Sequence, residues 1–246
     1  KKPKKIVSRL SIFFGHFLEL RSTLIKSLVS YLIVFIAMMP FANEIYYFFS
    51  EPLLAELASL NGTVISTKLT STFIVPFKIT AYCALIISLP FLFIQTWNFV
   101  SPGLYKNEKK FVMWAMCFGF ILFLAGTLFV YFLIFPVIFS FFVSSTPNDV
   151  ELMIDISSYL QMIIALFLAF GLAFEVPLML IIAVKFKWVK TSTLEKNRPY
   201  IIVAAFIFGA IFTPPDIISQ VLLALPILFL YEIGLFISKN KLIKRY

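Results

Sequence analysis

Three glutamates stand where an acid needs a reason. Glu19 lies in Gly15-His16-Phe17-Leu18-Glu19-Leu20-Arg21, just ahead of a long apolar run. Glu108 lies in Phe99-Val100-Ser101-Pro102-Gly103-Leu104-Tyr105-Lys106-Asn107-Glu108, between two such runs. Both have basic neighbours on a side of the chain where acids are scarce. A carboxylate can take a guanidinium through two parallel hydrogen bonds, which fixes orientation as well as adding affinity. Two of them are therefore suited to gripping a partner's cationic groups. The plainer alternative is local pairing, of Glu19 with Arg21 or Lys26 and of Glu108 with Lys109 or Lys110.

Glu175 poses a different problem. It falls near the middle of an apolar run, in Phe170-Gly171-Leu172-Ala173-Phe174-Glu175-Val176-Pro177. An unpaired charge at that depth costs on the order of 3 kcal/mol by insertion scales. Such a residue serves as a polar contact for a partner helix or as a proton carrier. The alternative is a protonated carboxyl bonded to a backbone carbonyl that Pro177 leaves free. Gln161, Gln220 and Glu232 sit nearer the ends of their runs and are less demanding.

Little else points to chemistry. The single histidine, His16, has no companion metal ligands, and Cys83 and Cys117 show neither metal-ligand nor disulfide spacing. Both cysteines are expected as buried small hydrophobes. There is no Gly-x-Ser-x-Gly turn, no His-Glu-x-x-His helix and no pair of mid-run aspartates. Catalysis, a cofactor and a metal are not expected.

The elements that must position these acids follow from composition. Of 246 residues, 61% are hydrophobic and 13% charged. A water-soluble domain carries roughly a quarter charged residues and has no means of hiding this much apolar surface. With 31 Phe against 8 Gly, the solvent is lipid. A charge of +9 would suggest nucleic acid in a soluble protein; here its placement matters more, and no nucleic-acid partner is expected. The expected fold is an all-α polytopic membrane domain covering 1–246, with six spans near 24–42, 73–97, 111–143, 159–184, 200–213 and 217–237. The first run is too long for a cleavable signal and lacks a small-residue cleavage site.

Hydrocarbon about 30 Å thick needs roughly 20 helical residues. The third run exceeds that, so it tilts or projects, and Lys26 can snorkel from the first. The fifth run has only 14 residues before Pro214-Pro215-Asp216 forces a turn. A short span and a re-entrant pair both fit; the short span is the reading adopted. Ala205 and Gly209 give the small-xxx-small spacing that lets helices approach closely. Prolines 90, 177 and 226 remove backbone hydrogen bonds from three spans and favour bent helices around a concave surface.

Orientation follows from charge. Nineteen of the 21 basic residues fall in 1–26, 98–110, 185–199 and 238–246. The positive-inside rule places these segments, and both termini, in the cytoplasm. Seven of the twelve acids fall on the opposite side, leaving Glu19, Glu108 and Glu195 as the cytoplasmic exceptions. No internal repeat is visible, which argues against transporters built from inverted halves. A small solute or ion transporter with Glu175 as its coupling group nevertheless remains the main rival reading.

Taken in order, His16 to Leu24, Phe99 to Glu108, Phe170 to Pro177, Thr213-Pro214-Pro215-Asp216 and Tyr231-Glu232-Ile233-Gly234 resemble the TatC family, the receptor subunit of the twin-arginine protein translocase. The resemblance implies a receptor for signal peptides with consecutive arginines, guiding folded proteins across the bacterial cytoplasmic membrane on the proton-motive force. It implies that Glu19 and Glu108 are the carboxylates of the signal-peptide site, shaped by Arg21, Phe99 and Tyr105. Glu175 resembles the family's intramembrane glutamate facing the concave side. Pro52 and Asp216 resemble functional positions on the external side. Implied partners are the small single-span TatA/TatB-type subunits, further copies of the chain in a receptor complex, and lipid. One departure is Thr23, where many members carry a basic residue.

Overall fold

The computed structural model describes residues 3–58, 63–103, 105–145, 153–212 and 217–239, with side chains for all of these except 3–17, 55–58, 100, 106–108 and 142–143. Helix α1 (Pro3–Met38) ends in a 3-10 turn, Met39–Phe41, at Pro40, and α2 (Ala42–Ala58) follows. Strand β1 (Thr63–Ile65) leads into α3 (Ser71–Val100) and a second 3-10 turn, Ser101–Gly103. Next come α4 (Lys106–Phe129), a π-helical turn Val130–Ile134, α5 (Phe135–Ser144) and β2 (Met153–Asp155). The chain ends in α6 (Ile156–Phe174), α7 (Val176–Lys185), α8 (Thr191–Lys196), α9 (Arg198–Phe212) and α10 (Ile217–Lys239).

Five stretches are long and apolar enough to cross a membrane: Leu18–Leu54, Ser71–Gly103, Lys109–Phe141, Ile156–Lys185 and Ile217–Lys239. Arg198–Phe212 is a shorter apolar helix. The prolines act unequally. Helices α3 and α10 run on through Pro90 and Pro226, whereas the helical run breaks at Glu175, just before Pro177. Proline at the second position of α7 has no backbone donor to lose, so a new helix starts there at little cost.

Helix α6 is the hub. Its buried residues, from Ile156, Tyr159, Leu160 and Ile163 to Leu166, Phe167, Phe170 and Ala173, recur every three to four positions and widen into a nearly continuous band after Leu166. It packs against α3, α4, α9 and α10. The closest approach is to α4, where glycines on both helices remove side chains from the interface. A Cβ on Gly126 would lie 2.6 Å from Phe170 O, and one on Gly171 would lie 2.6 Å from the Phe123 ring. Gly234 of α10 is equally tight against Pro177, at 2.7 Å from its Cα. Ala205 and Gly209 of α9 are buried, and Gln220 Nε2 donates to Phe206 O at 2.8 Å, tying α10 to α9.

Helix α1 is different in kind. It leans on α3 and leaves Leu24, Leu28, Ile33 and Ile36 58–65% exposed. Apolar character in a lipid-facing chain is therefore no guide to burial. Cys117 shows the same thing: expected inside, it is exposed on α4, and Cys83 is half-buried.

The two strands were not foreseen. β1 and β2 pair in parallel, with Thr63 opposite Met153 and Ile65 opposite Asp155. Asp155 caps α6 through Ser158 N–H (3.1 Å) and hydroxyl (3.0 Å). Its other oxygen accepts from Thr67 N–H (3.1 Å) and hydroxyl (3.0 Å), 88 residues away in sequence. These donors, the Thr67 N–H foremost, pull its carboxyl down to about 2.

The folded pKa of Asp155 is lowered, so its contribution to stability is present above the unfolded value of about 3.9. It fades as pH falls toward 2. Asp155→Ala is therefore expected to lower the melting temperature in detergent at pH 6, with the gap to the parent closing near pH 2. Glycine substitutions probe the hub. Gly126→Ala meets backbone and is expected to cost about 1–3 kcal/mol. Gly119→Ala meets only the ends of the Glu175 and Leu178 side chains, at 3.1 Å, and is expected to lose less than about 1 kcal/mol. Thermal unfolding that ranks them equal, or in reverse, contradicts the packing account.

Candidate functional site

The first group of site residues is divided between α1 and the α3–α4 connection. Glu19 and Arg21 lie exposed on α1, eighteen residues or so before its end at Met38. Phe99 is half-buried in the last turn of α3. The chain then turns through Ser101–Gly103, and Tyr105, 80% exposed, stands immediately before α4. Glu108 is the third residue of α4; its side chain lies outside the described residues. A carboxylate in the first helical turn is favoured there by the unsatisfied N–H groups of the helix start.

Beside this connection, α3 and α4 leave an apolar groove of about 380 Å³, lined by Pro90, Phe93, Trp97, Met113, Met116 and Phe120 among others. Methionine side chains bend to suit irregular apolar shapes. Across the same end, Lys185 of α7 sits 3.4 Å from the Phe111 ring centroid of α4, and Phe111 meets Phe186 edge-on.

Glu175 occupies the break between α6 and α7. Pro177 has no N–H for Ala173 O, which instead receives the N–H of Glu175 itself, shared with Leu172 O. The freed carbonyl is thus met by backbone, which removes the expectation of a carboxyl bonded to it. Among the described residues the Glu175 carboxylate has no hydrogen-bond partner, and it is half-buried. Its oxygens lie 3.1 and 3.2 Å from where a Cβ on Gly119 would be. Glycine at 119 is what lets α4 pass over the acid. The charge can meet a partner or a proton here, and among the described residues no counter-charge is in contact with it.

The motif residues that looked unconnected in sequence meet in space. Gly171 lies under Phe123, Glu175 over Gly119, and Pro177 against Gly234. Tyr231 donates to Leu194 O at 2.8 Å, and Glu232 accepts from Arg198 at 2.7 Å. Lys239 pairs with Glu195. Glu232, read in sequence as undemanding, is therefore one half of a clamp between α9 and α10; only its sequence distance from Arg198 concealed the pairing. Pro52 is half-buried inside α2, next to the buried Leu53. Asp216 lies outside the described residues. Among the described residues no cluster of His, Cys, Asp and Glu is arranged to hold a metal.

Residues 15–226 match the family model described as Sec-independent protein translocase protein (TatC). The chain is 42% identical to the Sec-independent protein translocase protein TatC of Haemophilus influenzae over 224 residues, 91% of this chain and 87% of that one. It is 38% identical to the protein of that name from Rickettsia prowazekii over 237 residues, 93% of each. Among solved structures it is similar to the "Crystal Structure of Twin Arginine Translocase Receptor- TatC", with a TM-score of 0.81 at 32% identity, covering 94% of this chain and all of that one. The break at Glu175 and the glycine contacts at Gly126 and Gly171 lie within the matched segment, and the chain belongs to the TatC family of Sec-independent protein translocase proteins.

Proposed function

We propose that this chain is the twin-arginine signal-peptide receptor and core subunit of a Tat translocase, moving folded proteins across the bacterial cytoplasmic membrane on the proton-motive force. Membership of the TatC family makes it a component of a protein translocase and displaces the small-solute transporter reading. The observation that carries the receptor reading is the pair Glu19 and Glu108, acids standing in segments otherwise populated by lysine and arginine.

In this reading the molecule is one membrane domain of six spans, with both termini in the cytoplasm. Five long helical stretches support five of the spans. The sixth is α9, whose 15 residues reach about 22 Å and which is bonded to α10 through Gln220. A span that short thins the bilayer beside it.

The two guanidinium groups of a signal peptide dock on Glu19 and Glu108, with Arg21, Phe99 and Tyr105 shaping the entrance. Two carboxylates together specify a pair of cations, where one acid would accept any single cation. The apolar stretch that follows the arginines lies along the methionine-lined groove between α3 and α4 or against the concave face. Glu175 meets a polar group on a TatA/TatB-type single-span subunit, and further copies of the chain complete the receptor complex. The work is binding and positioning; no bond is made or broken.

Double substitution Glu19→Ala with Glu108→Ala is expected to reduce photo-cross-linking of a twin-arginine peptide by at least ten-fold, since each charge-assisted pair contributes about 1.5–3 kcal/mol. Membrane insertion should stay unchanged. Undiminished cross-linking removes the site. Topology is tested separately: a single cysteine at Ser66 should be labelled by an impermeant maleimide from outside the cell, and one at Lys190 only after permeabilisation.

A further inference from the structure

Between α2, β1 and the start of α3, with Ile156 of α6 in its wall, lies a cavity of about 310 Å³. That reaches the roughly 300 Å³ at which small-molecule sites begin. Its polar lining is Asn43, Tyr46, Tyr47, Ser66, Ser71 and Thr72. Ser66 and Thr72 face each other at 3.5 Å, and Ser66 also donates to Lys68 O at 3.1 Å. Among the described residues, the Asn43 amide and the hydroxyls of Tyr46, Tyr47 and Ser71 bond to no other part of the chain. Ser71 is the clearest case, for it is 4% exposed. Other buried hydroxyls, those of Ser50, Thr80, Ser88, Thr127 and Ser238, donate to carbonyls of their own helices. Buried polar groups without a partner in the chain need one from outside it.

The cavity sits at the level of the lipid headgroups. Ser71 and Ile156 are the first residues of two stretches long and apolar enough to cross a membrane. Two lysines stand at the same level, apart from the 19 of 21 basic residues that gather in the other segments. Lys68 is exposed in the turn before α3, where its carbonyl accepts from Ser71 N–H at 2.9 Å. Lys78 is exposed on α3, two residues beyond Pro76 in the cavity wall. It lies about 10 Å along the axis from Ser71, too deep for water to reach freely. Neither lysine is paired with an acid among the described residues. Helical side chains lean toward the start of their helix, which for Lys78 is the headgroup side, and a lysine so placed extends its ammonium to the interface.

The groups present select the occupant. Two ammonium groups beside neutral donors suit a phosphodiester, and the N–H groups at the start of α3 add positive potential. Pro76 has no N–H for the Thr72 carbonyl, so that carbonyl lacks its helical donor and can accept from a hydroxyl. Among the described residues no carboxylate lines the cavity to receive an ammonium headgroup. Asp155, next to Ile156, is already engaged by Thr67 and Ser158. We propose that the cavity seats the glycerol headgroup of an anionic phospholipid of the phosphatidylglycerol type. Its phosphate lies between Lys68 and Lys78, and its acyl chains run down the lipid-facing side of α3 at Ile74, 43% exposed. This site goes beyond the receptor reading and does not rest on it.

The test uses the full chain in phosphatidylcholine nanodiscs doped with a phosphatidylglycerol analogue that carries a diazirine on its glycerol. Adducts mapped by peptide mass spectrometry should concentrate on 43–47 and 64–76. They should exceed those from a phosphatidylcholine analogue by at least about five-fold, the contribution of one lysine near a phosphate. Lys68→Gln with Lys78→Gln should remove that preference. Asn43→Leu, which keeps both lysines, should lower the yield on 64–76, separating a headgroup in the cavity from a bare charged patch. All three substitutions are at exposed positions, and a far-ultraviolet spectrum confirms that the helices persist. Excess glycerol 3-phosphate should not compete; full competition assigns the site to a soluble phosphate and overturns the lipid. Adducts spread evenly over the basic ends of the chain, or a preference that survives the double substitution, overturn the proposal too. Binding of a twin-arginine peptide, measured in parallel, should be the same in parent and variants, so failure here is distinguishable from failure of the receptor reading.

Discussion

Two helices in hydrocarbon gain nothing by hiding leucine from leucine, because lipid tails are as apolar as either. What holds them is the fit of their surfaces and the few polar contacts between them. In this chain the fit is made by glycine. Gly126 admits the backbone of Phe170, Gly171 admits the Phe123 ring, and Gly234 admits Pro177. Those contacts fasten α4 to α6 and α10 to α7, and the remaining helices arrange themselves around the result. Leucine-rich α1, with no such contact, lies at the periphery on α3.

The same contacts decide where charge can sit inside the bilayer. Pro177 breaks the helical run at Glu175 and then anchors the new helix on Gly234. The acid is left at a break, with its carboxylate over the one glycine of α4 that gives it room. Removing Pro177 would move the charge as well as the helix, whereas a side chain at 119 would displace the carboxylate alone. The packing of small residues and the placing of the acid are here one arrangement.

The two ends of the bundle are secured by other means. On the basic side, Arg198–Glu232 and Lys239–Glu195 span α8, α9 and α10, and Tyr231 adds a hydrogen bond to Leu194 O. Both ion pairs are about half exposed, and exposed pairs contribute at most about 1 kcal/mol each. Their value lies in setting which residues face each other. On the acidic side a single carboxylate, Asp155, holds two distant loops and the start of α6 together. Between these ends aromatic rings gather around Phe167, and among the described residues the Tyr82 hydroxyl is the one buried side-chain polar atom without a hydrogen-bond partner.

Much of this was legible from residue types alone. Long apolar runs, the segregation of lysine and arginine, and acids in awkward places are one-dimensional features, because the bilayer imposes a fixed length and a fixed sign on each segment. Those features located the long apolar helices, the candidate acids and the short fifth run, but not α2 or α8, which lie outside the expected runs. They did not reveal the parallel strand pair, for Thr63–Ile65 and Met153–Asp155 are too short to show periodicity and each needs the other to exist. They misjudged Cys117, since an apolar run in lipid is as ready to face outward as inward. They were silent on Arg198 with Glu232, on Pro177 with Gly234 and on Tyr82, because each depends on side chains brought together from different helices. Hydropathy is a property of a segment, whereas partnership is a property of a surface, and only the folded chain has one.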